Sequence, residues 1–285
     1  NVLYSCDLNG GNLALFAPTV NIGGGNPEEH FLTSSLGLGG FGSRDIFVAS
    51  SVSNSIIKID NAGTSGSTFV SGLVGTPRGI LFDAVGSFGH DMLITTSSGN
   101  IYRVNNLGQA TLLASTGEDT EGLDIAPLGA GFGGHDGSLI VASEGSGAIR
   151  AISPTGQVTF LTSISGAEEL TFVPLNLGIS GDPVEGFYGA NYTQNILKAD
   201  AGEFAGLQGD VIVTGEYNHQ VSRLHWSGSS FDISNIGSFP NQPEDGIFVT
   251  NAIINPVPEP STFALLGAGL FGALALCRRR RSARR

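Results

Sequence analysis

Short apolar runs recur along this chain at a spacing of about 45 residues. The most apolar runs occupy residues 45–50, 91–96, 138–143 and 210–215. Each is followed by a run in which apolar and polar residues alternate, at 55–60, 100–105, 148–153, 195–200 and 220–225. Alternation with period two is typical of β-strands with one buried face. The pattern predicts many short antiparallel strands.

Two further runs complete each repeat. A third run follows a glycine-containing turn, at 68–70, 110–113, 158–161 and 230–233. A fourth begins the next repeat, at 77–83, 121–126, 168–173 and 244–249. Four strands per repeat at a period of roughly 40–50 residues indicate a β-propeller. We predict an all-β fold with five or six four-stranded blades, six being favoured, over residues 1–250.

The two ends of the repeat region suggest how the ring closes. Residues 1–6 and 12–17 align with the second and third runs of a repeat, while 245–249 form an innermost strand without its own blade. Pairing the last strand with the first blade would remove free sheet edges. One strand of that blade would then precede Asn1, so we expect an N-terminally truncated sequence. Residues 174–210 depart from the period and leave the blade count open.

The repeat resembles six-bladed NHL-type and gluconolactonase-like propellers. The resemblance rests on Pro77-Arg78-Gly79-Ile80, a loop, an apolar strand and then Asn100-Ile101-Tyr102-Arg103. A glycine directly after Arg78 or Glu121 would let the innermost strand approach the crowded axis. The resemblance covers most of the first 250 residues, and fold likeness alone assigns no function.

The composition agrees with a turn-rich β protein and limits the kinds of partner that we expect. The chain has 43 glycines, 12 prolines and 13% charged residues, which favours an all-β fold with many tight turns. Seven basic and 24 acidic residues precede Pro258, giving this part a net charge of −17. Nucleic acid is excluded as an expected partner because phosphate binding needs a basic patch. Cys6 and Cys277 are the only cysteines, so no disulfide framework is expected.

Charged residues gather where the inner strands are predicted to begin, and we expect them to meet at one mouth of the central channel. They are Glu28, Glu29, His30, Arg78, Glu121, Asp124, Glu168, Glu169, Glu244 and Asp245. Converging carboxylates can bind Ca²⁺, with Glu121, Glu168 and Asp245 as the candidate ligands. The favoured interpretation is that these residues cap strand ends and solvate the mouth, and no catalytic residue is assigned.

Resemblance to gluconolactonase-like enzymes implies a single divalent ion that polarises a lactone carbonyl. The sequence departs from that pattern. It lacks a clear set of the Asn and Asp partners that other blades would supply, and Arg78 replaces an acid in one blade. An enzyme is therefore the alternative and not the leading interpretation.

Other charged residues repeat at fixed blade positions. The basic set Lys58, Arg103, Arg150, Lys198 and Arg223 occupies one position of the second run, which predicts outward-facing side chains. The pairs His90-Asp91 and His135-Asp136 also repeat, so we expect them to order their loops rather than to bind zinc. No nucleophile elbow, phosphate-binding glycine loop or metalloprotease helix motif is present.

The chain ends in a tail of a different kind. Val257-Pro258-Glu259-Pro260-Ser261 precedes an apolar stretch at 263–277, which is followed by Arg278, Arg279, Arg280 and Arg281. As a helix, this stretch would cover only about 22 Å of a hydrocarbon core roughly 30 Å thick. We predict that this helix spans the inner membrane, although it is barely long enough to do so. The arginines should stay cytoplasmic, which leaves the residues before Pro258 outside.

Residues 257–281 resemble the PEP-CTERM sorting signal, which is also named the ice-binding protein C-terminal domain. That family implies recognition by an exosortase, a membrane cysteine protease expected to cut near the Pro-Glu-Pro element. The body would then pass from a transient inner-membrane anchor to the cell surface or the extracellular space. The predicted organisation is a propeller at 1–250, a linker at 251–257 and a sorting signal at 258–285.

The sequence therefore predicts an exported, surface-sorted and non-catalytic propeller that binds polysaccharide or protein of the cell surface or exopolysaccharide matrix. The alternative is a divalent-metal-dependent lactonase or hydrolase acting at the channel mouth. The tail's second name also suggests an ice binder. Ice binding usually needs a flat threonine-rich face, and none is evident in the sequence.

Overall fold

The structure is a computed structural model that describes residues 2–23, 31–50, 53–192 and 195–254. The chain divides into two units, Asn1–Thr250 and Asn251–Arg285. The first unit is a β-propeller, which confirms the predicted fold. The second contributes one described helical turn, α1 (Asn251–Ile254).

The described residues form five blades rather than the favoured six. The first three blades are regular, because each inner strand is followed along the chain by its second, third and outer strands. The first blade contains β3 (Leu32–Ser34), β4 (Ile46–Ser50), β5 (Ser55–Ile59) and β6 (Gly66–Val70). The second contains β7 (Pro77–Phe82), β8 (Met92–Thr96), β9 (Asn100–Val104) and β10 (Ala110–Ser115). The third contains β11 (Leu123–Ile125), β12 (Leu139–Ser143), β13 (Ala148–Ile152) and β14 (Val158–Ser163).

The last two blades interlock in sequence. The fourth blade contains β15 (Ala167–Phe172), β18 (Val211–Gly215), β19 (Gln220–Trp226) and β20 (Phe231–Ser238). Between its first two strands the chain inserts β16 (Gly186–Asn191), β17 (Asn195–Asp200) and a 3₁₀ turn (Ala201–Phe204). The final strand β21 (Pro243–Val249) pairs with β16, so the fifth blade has the order β17-β16-β21.

This pairing corrects the expected ring closure. The last strand was predicted to join the first blade, whereas β21 joins the inserted hairpin, with Phe187 opposite Phe248 and Gly186 opposite Val249. Residues 174–210 depart from the repeat because they carry strands for a neighbouring blade. The N-terminal strands β1 (Leu3–Ser5) and β2 (Ala14–Phe16) form a separate two-stranded sheet that packs against the first blade through Phe16.

Alternate residues of the second strands enter two different cores. In β8, Ile94 packs in the core between the first and second blades, while Leu93 packs in the core between the second and third. In β12, Leu139 packs in the core between the second and third blades, while Ile140 packs in the core between the third and fourth. Both faces of these strands are buried between blades, which explains why the strands are continuously apolar instead of alternating.

The inner strands β3, β7, β11, β15 and β21 contact one another in succession. Glycines permit this approach. A Cβ on Gly79 would lie 2.5 Å from the carbonyl oxygen of Glu121, and a Cβ on Gly122 would lie 2.7 Å from that of Glu168. Distances below 3.0 Å are essentially not seen for real Cβ atoms. The predicted role of glycine beside the axis therefore matches these contacts.

The predicted transmembrane helix at 263–277 lies outside the described residues. Within the described ranges, no helix is long and apolar enough to cross a membrane.

Candidate functional site

The inner strands begin at one end of the channel, and the hairpins between second and third strands lie at the same end. This geometry brings together acidic side chains of the third and fourth blades, and Asp119 from the link before β11, around Arg78 of the second blade. We call this cluster the acidic mouth; it consists of Arg78, Asp119, Glu121, Glu144, Glu168 and Glu216. Glu28, Glu29 and His30, which were predicted to join it, lie outside the described residues.

Glu121 and Glu168 meet as predicted. They are 4% and 3% exposed, and their side chains are joined by a hydrogen bond. Burial raises the pKa of Glu121 although Arg78 opposes this shift. The Arg78 Nε atom lies 2.9 Å from Glu121 Oε1, and its Nη2 atom lies 2.9 Å from Asp119 Oδ2. The arginine thus neutralises part of the mouth.

Glu144 and Glu216 form a second carboxyl pair that sequence reasoning missed. Their side chains hydrogen-bond to each other, and this bond is the main cause that raises the pKa of Glu216 to about 8 and lowers that of Glu144. Glu216 therefore keeps a proton at neutral pH and donates it to Glu144. Gln242 Nε2 also donates to Glu216 Oε1 at 2.6 Å.

The repeat itself contained a signal for this pair. Glu144 and Glu216 each follow a buried second strand, β12 or β18, at its hairpin. They occupy the same repeat position, and propeller geometry places equivalent hairpins at one end. Aligning the hairpins as well as the strands would have brought the two residues together.

Three carboxylates in the mouth have the spacing of a possible cation site. Among the described residues, Glu144, Glu168 and Glu216 each offer an oxygen, and these oxygens lie within 4.8 Å of one another. Of the three predicted ligands, only Glu168 belongs to this group. Carboxylate oxygens fit Ca²⁺ chemically, but an ion here would have to displace the proton held by Glu216.

Asp245 forms a second set with Asp124 and Glu169, one from each of the inner strands β21, β11 and β15, and we call them the channel carboxyls. In β11, Leu123 and Ile125 are buried in the core toward the second blade, so Asp124 between them points the opposite way, toward β15 of the fourth blade. Its carboxylate accepts hydrogen bonds from the Phe172 N–H at 2.7 Å and the Thr171 hydroxyl at 3.2 Å. The expected single cluster is therefore two sets, one at the mouth and one along the channel.

Desolvation raises the pKa of each of the channel carboxyls. Desolvation raises the pKa of Asp124 and of Asp245 to about 6 in each case. The pKa of Glu169 is raised well above its ordinary value, by desolvation first and then by the charges of Asp245 and Asp124. Asp245 is reached by solvent yet surrounded by protein atoms, as expected for a side chain lining a narrow channel.

The repeated basic residues are engaged in ion pairs. Each of the five binds a nearby carboxylate: Lys58 with Asp45, Arg103 with Asp91, Arg150 with Glu118, Lys198 with Asp200 and Arg223 with Asp210. The set is therefore a series of strand-end contacts rather than one basic surface.

The His-Asp loops are ordered by backbone hydrogen bonds. The side chain of Asp83 accepts the N–H groups of Val85, Gly86, Phe88 and His90. His90 Nδ1 lies 2.9 Å from the Asp83 carbonyl oxygen. In the next repeat, Asp136 accepts the N–H groups of Gly129, Gly131 and Phe132. Asp136 thus orders its loop as expected, whereas in the first pair Asp91 binds Arg103 and the loop around His90 is ordered by Asp83.

An open cavity of about 540 Å³ is lined by residues that precede and follow the β16–β17 hairpin. Its lining includes Leu177, Pro183 and Gln208. None of the residues predicted for a site lies in this lining.

Comparison with known proteins identifies a sorting motif at the C-terminus. The family model of the PEP-CTERM protein-sorting motif matches residues 256–281. The chain thus carries a PEP-CTERM motif at its C-terminus, which implies export and processing by an exosortase. No curated protein sequence matches the chain.

Solved structures show the fold of the body. A catalytically inactive virginiamycin B lyase from Staphylococcus aureus, solved with quinupristin, is 13% identical with a TM-score of 0.52; the match covers 86% of this chain and 66% of the lyase. A putative gluconolactonase is 10% identical with a TM-score of 0.53, and the match covers 86% of this chain and 73% of that one. This chain thus spans slightly under two thirds of the lyase. At such identities, the likeness shows the propeller fold alone.

Proposed function

We propose that this protein is an exported β-propeller that an exosortase delivers to the cell surface, where the acidic mouth binds a component of the surface or exopolysaccharide matrix without catalysis. The sorting motif matched at residues 256–281 is the observation that carries this proposal. It follows directly on a propeller unit that ends at Thr250.

The tail would act in two steps. The apolar stretch 263–277 first holds the chain in the inner membrane, with Arg278, Arg279, Arg280 and Arg281 on the cytoplasmic side. Exosortase then recognises Val257, Pro258, Glu259, Pro260 and Ser261 and separates the body from its anchor. The membrane is thus a transient partner.

A binding role for the body is supported by the contacts that hold the carboxyl groups of the acidic mouth in place. Glu121 is bound to Arg78 and Glu168, and Glu144 shares a proton with Glu216. Such an interlinked set is held in place before any ligand arrives. The negative charge of the body further favours cationic or hydroxyl-rich ligands over anionic ones.

Cell fractionation tests the sorting step. In a host that carries an exosortase, we expect the wild-type body at the cell surface or in the medium. Replacing Pro258, Glu259 and Pro260 together with alanine should leave the full-length chain in the inner membrane. Glu203→Ala, which changes an exposed acid in the body, is the matched control and should be sorted normally. Equal sorting of the tail variant and the wild type would contradict the proposal.

A second candidate function is a divalent-metal-dependent lactonase or hydrolase. The three carboxylates within 4.8 Å favour it, with Glu144, Glu168 and Glu216 holding the ion and Glu121 beside them. A divalent ion would supply Lewis-acid polarisation of a carbonyl. At 100 times its dissociation constant, it would stabilise the fold by about 2.7 kcal/mol.

A calcium titration separates the two candidates. The metal hypothesis predicts that Ca²⁺ raises the melting temperature of the wild type but not that of a Glu121→Gln, Glu168→Gln double variant, together with turnover of a lactone by the wild type. An unchanged melting temperature and no turnover would remove the enzyme. The binding proposal would remain.

A further inference from the structure

The ring of Tyr217 lies at the edge of the acidic mouth. Tyr217 is in the hairpin between β18 and β19, next to Glu216, and is 69% exposed. Single exposed aromatic residues are common on protein surfaces. The informative feature is therefore how this ring is held.

Two contacts orient the ring. One side lies on the backbone of Gly166, where an added Cβ would be 2.8 Å from Tyr217 Cδ2. The phenol hydroxyl donates to Glu144, which is the main cause that raises the pKa of Tyr217 to about 12 and keeps the hydroxyl protonated. The Glu216 N–H also donates to the Gly166 carbonyl at 2.9 Å. The hairpin thus presents a supported ring with much of its surface open to solvent.

The neighbours of the ring are acidic and amide groups. Glu144 and Glu216 lie beside it, and Gln242 reaches Glu216. The basic residue of the mouth, Arg78, is already bound to Asp119 and Glu121. A ligand on the ring would therefore meet negative charge and hydrogen-bond acceptors within the same contact.

We infer that Tyr217, together with Glu144 and Glu216, binds a saccharide unit that carries a free ammonium group, as in a non-acetylated hexosamine of a matrix glycan. The C–H face of a pyranose packs on the negative face of an aromatic ring. The ammonium group would pair with the Glu144 carboxylate, next to the protonated Glu216, and the sugar hydroxyls would reach Gln242. The inference rests on the proposed function, since it names the ligand class of the same mouth.

Other ligand chemistries fit less well. A uronic-acid glycan would bring anions to the Glu144 carboxylate and be repelled. A lysine-rich peptide would satisfy the carboxylates, but a flexible alkyl ammonium does not need a flat ring supported from behind. The ring favours a rigid, flat ligand, and the acids favour a cationic one.

Calorimetric titration of the full chain in detergent tests the assignment. The probes are a glucosamine hexamer without acetyl groups, its fully acetylated counterpart, a uronic-acid hexamer and hexalysine. We expect tightest binding of the amino hexamer and loss of about tenfold in affinity with Tyr217→Ala, since aromatic anchors carry a large share of binding energy. Tyr217→Phe should keep most of the affinity, and Glu144→Gln should weaken it.

Phe160→Ala is the matched control, because Phe160 is 61% exposed on the outer strand β14, away from the mouth. It should leave binding unchanged. The inference is overturned if Tyr217→Ala binds as tightly as the wild type, if hexalysine or the uronic hexamer binds best, or if the amino hexamer does not bind. Should Tyr217→Ala unfold, Glu144→Gln decides instead. Sorting is measured separately in cells, so failure of glycan binding with normal sorting removes only the ligand assignment.

Discussion

One shared proton allows the side chains of Glu144 and Glu216 to lie next to each other in the acidic mouth. Two carboxylates from the third and fourth blades would repel each other if both were ionised. The structure avoids this because Glu216 keeps its proton, with a pKa raised to about 8 by its bond to Glu144. The stability of the propeller should therefore depend on pH through these residues.

We predict that the melting temperature falls as the pH rises from about 5 to about 8. In this window, the folded protein binds more protons than the unfolded chain, since the pKa of Glu216 rises from 4.5 to about 8 on folding. Asp124 and Asp245 act in the same direction in the lower part of the window. Glu216→Gln should flatten the upper part, and Glu203→Gln, at an exposed site, should not. An equally steep curve for Glu216→Gln, measured by thermal melts at stepped pH, would contradict this.

Gly122 is the second residue-scale test. Its N–H donates to the Glu168 carbonyl at 3.1 Å, and its Cα faces the backbone of β15. Gly122→Ala should cost about 1–3 kcal/mol because backbone must move to admit the methyl group. Gly145→Ala is the control, since nothing lies within 4 Å of a Cβ there. Equal urea midpoints for the two variants would show that the inner strands are not closely packed at Gly122.

At the element scale, the inserted hairpin β16–β17 decides how the last blade is built. Phe187 of β16 lies opposite Phe248 of β21, with ring centroids 5.2 Å apart, and it also packs near Phe204 and Phe239. Gly246 leaves room for it, as a Cβ there would be 2.3 Å from Phe187 Cζ. This aromatic group joins the insertion to the end of the propeller.

Phe187→Ala should destabilise the fold by about 3–5 kcal/mol, as for other buried phenylalanines. Hydrogen exchange should show that β21 loses protection first. Ile196→Ala changes a side chain of β17 that is 67% exposed, and its effect should stay within about 0.5 kcal/mol. Unchanged protection of β21 in Phe187→Ala would argue against its pairing with β16.

The sequence predicted regular blades well because each strand type has its own pattern. Leu93 and Ile94 are both apolar because they enter cores on opposite sides of one strand. The hairpin β16–β17 could not be placed in this way. Its first strand, β16, pairs with β21, which lies about 50 residues further along the chain. Its second strand, β17 at 195–200, has the same pattern as the second run of any repeat.

At the scale of the whole molecule, the body and the tail differ in charge. The body carries the net charge of −17, while six of the 13 basic residues lie at 278–285. This separation is expected if the arginines stay on the cytoplasmic side and the acidic propeller is exported. The sequence predicted only part of the acidic mouth. Glu121 and Glu168 were found because they lie at the start of repeated strands. Glu144 and Glu216 were missed because they become neighbours only when the hairpins of two blades converge.

The C-terminus of the mature protein tests the central claim most directly. Surface protein should be recovered from a host that carries an exosortase, and its intact mass and C-terminal peptide determined by mass spectrometry. The account predicts a chain that ends near Pro258-Glu259-Pro260 and lacks the apolar stretch 263–277 and the arginines. Recovery of only the full-length chain, still ending at Arg285 and still in the inner membrane, would contradict it.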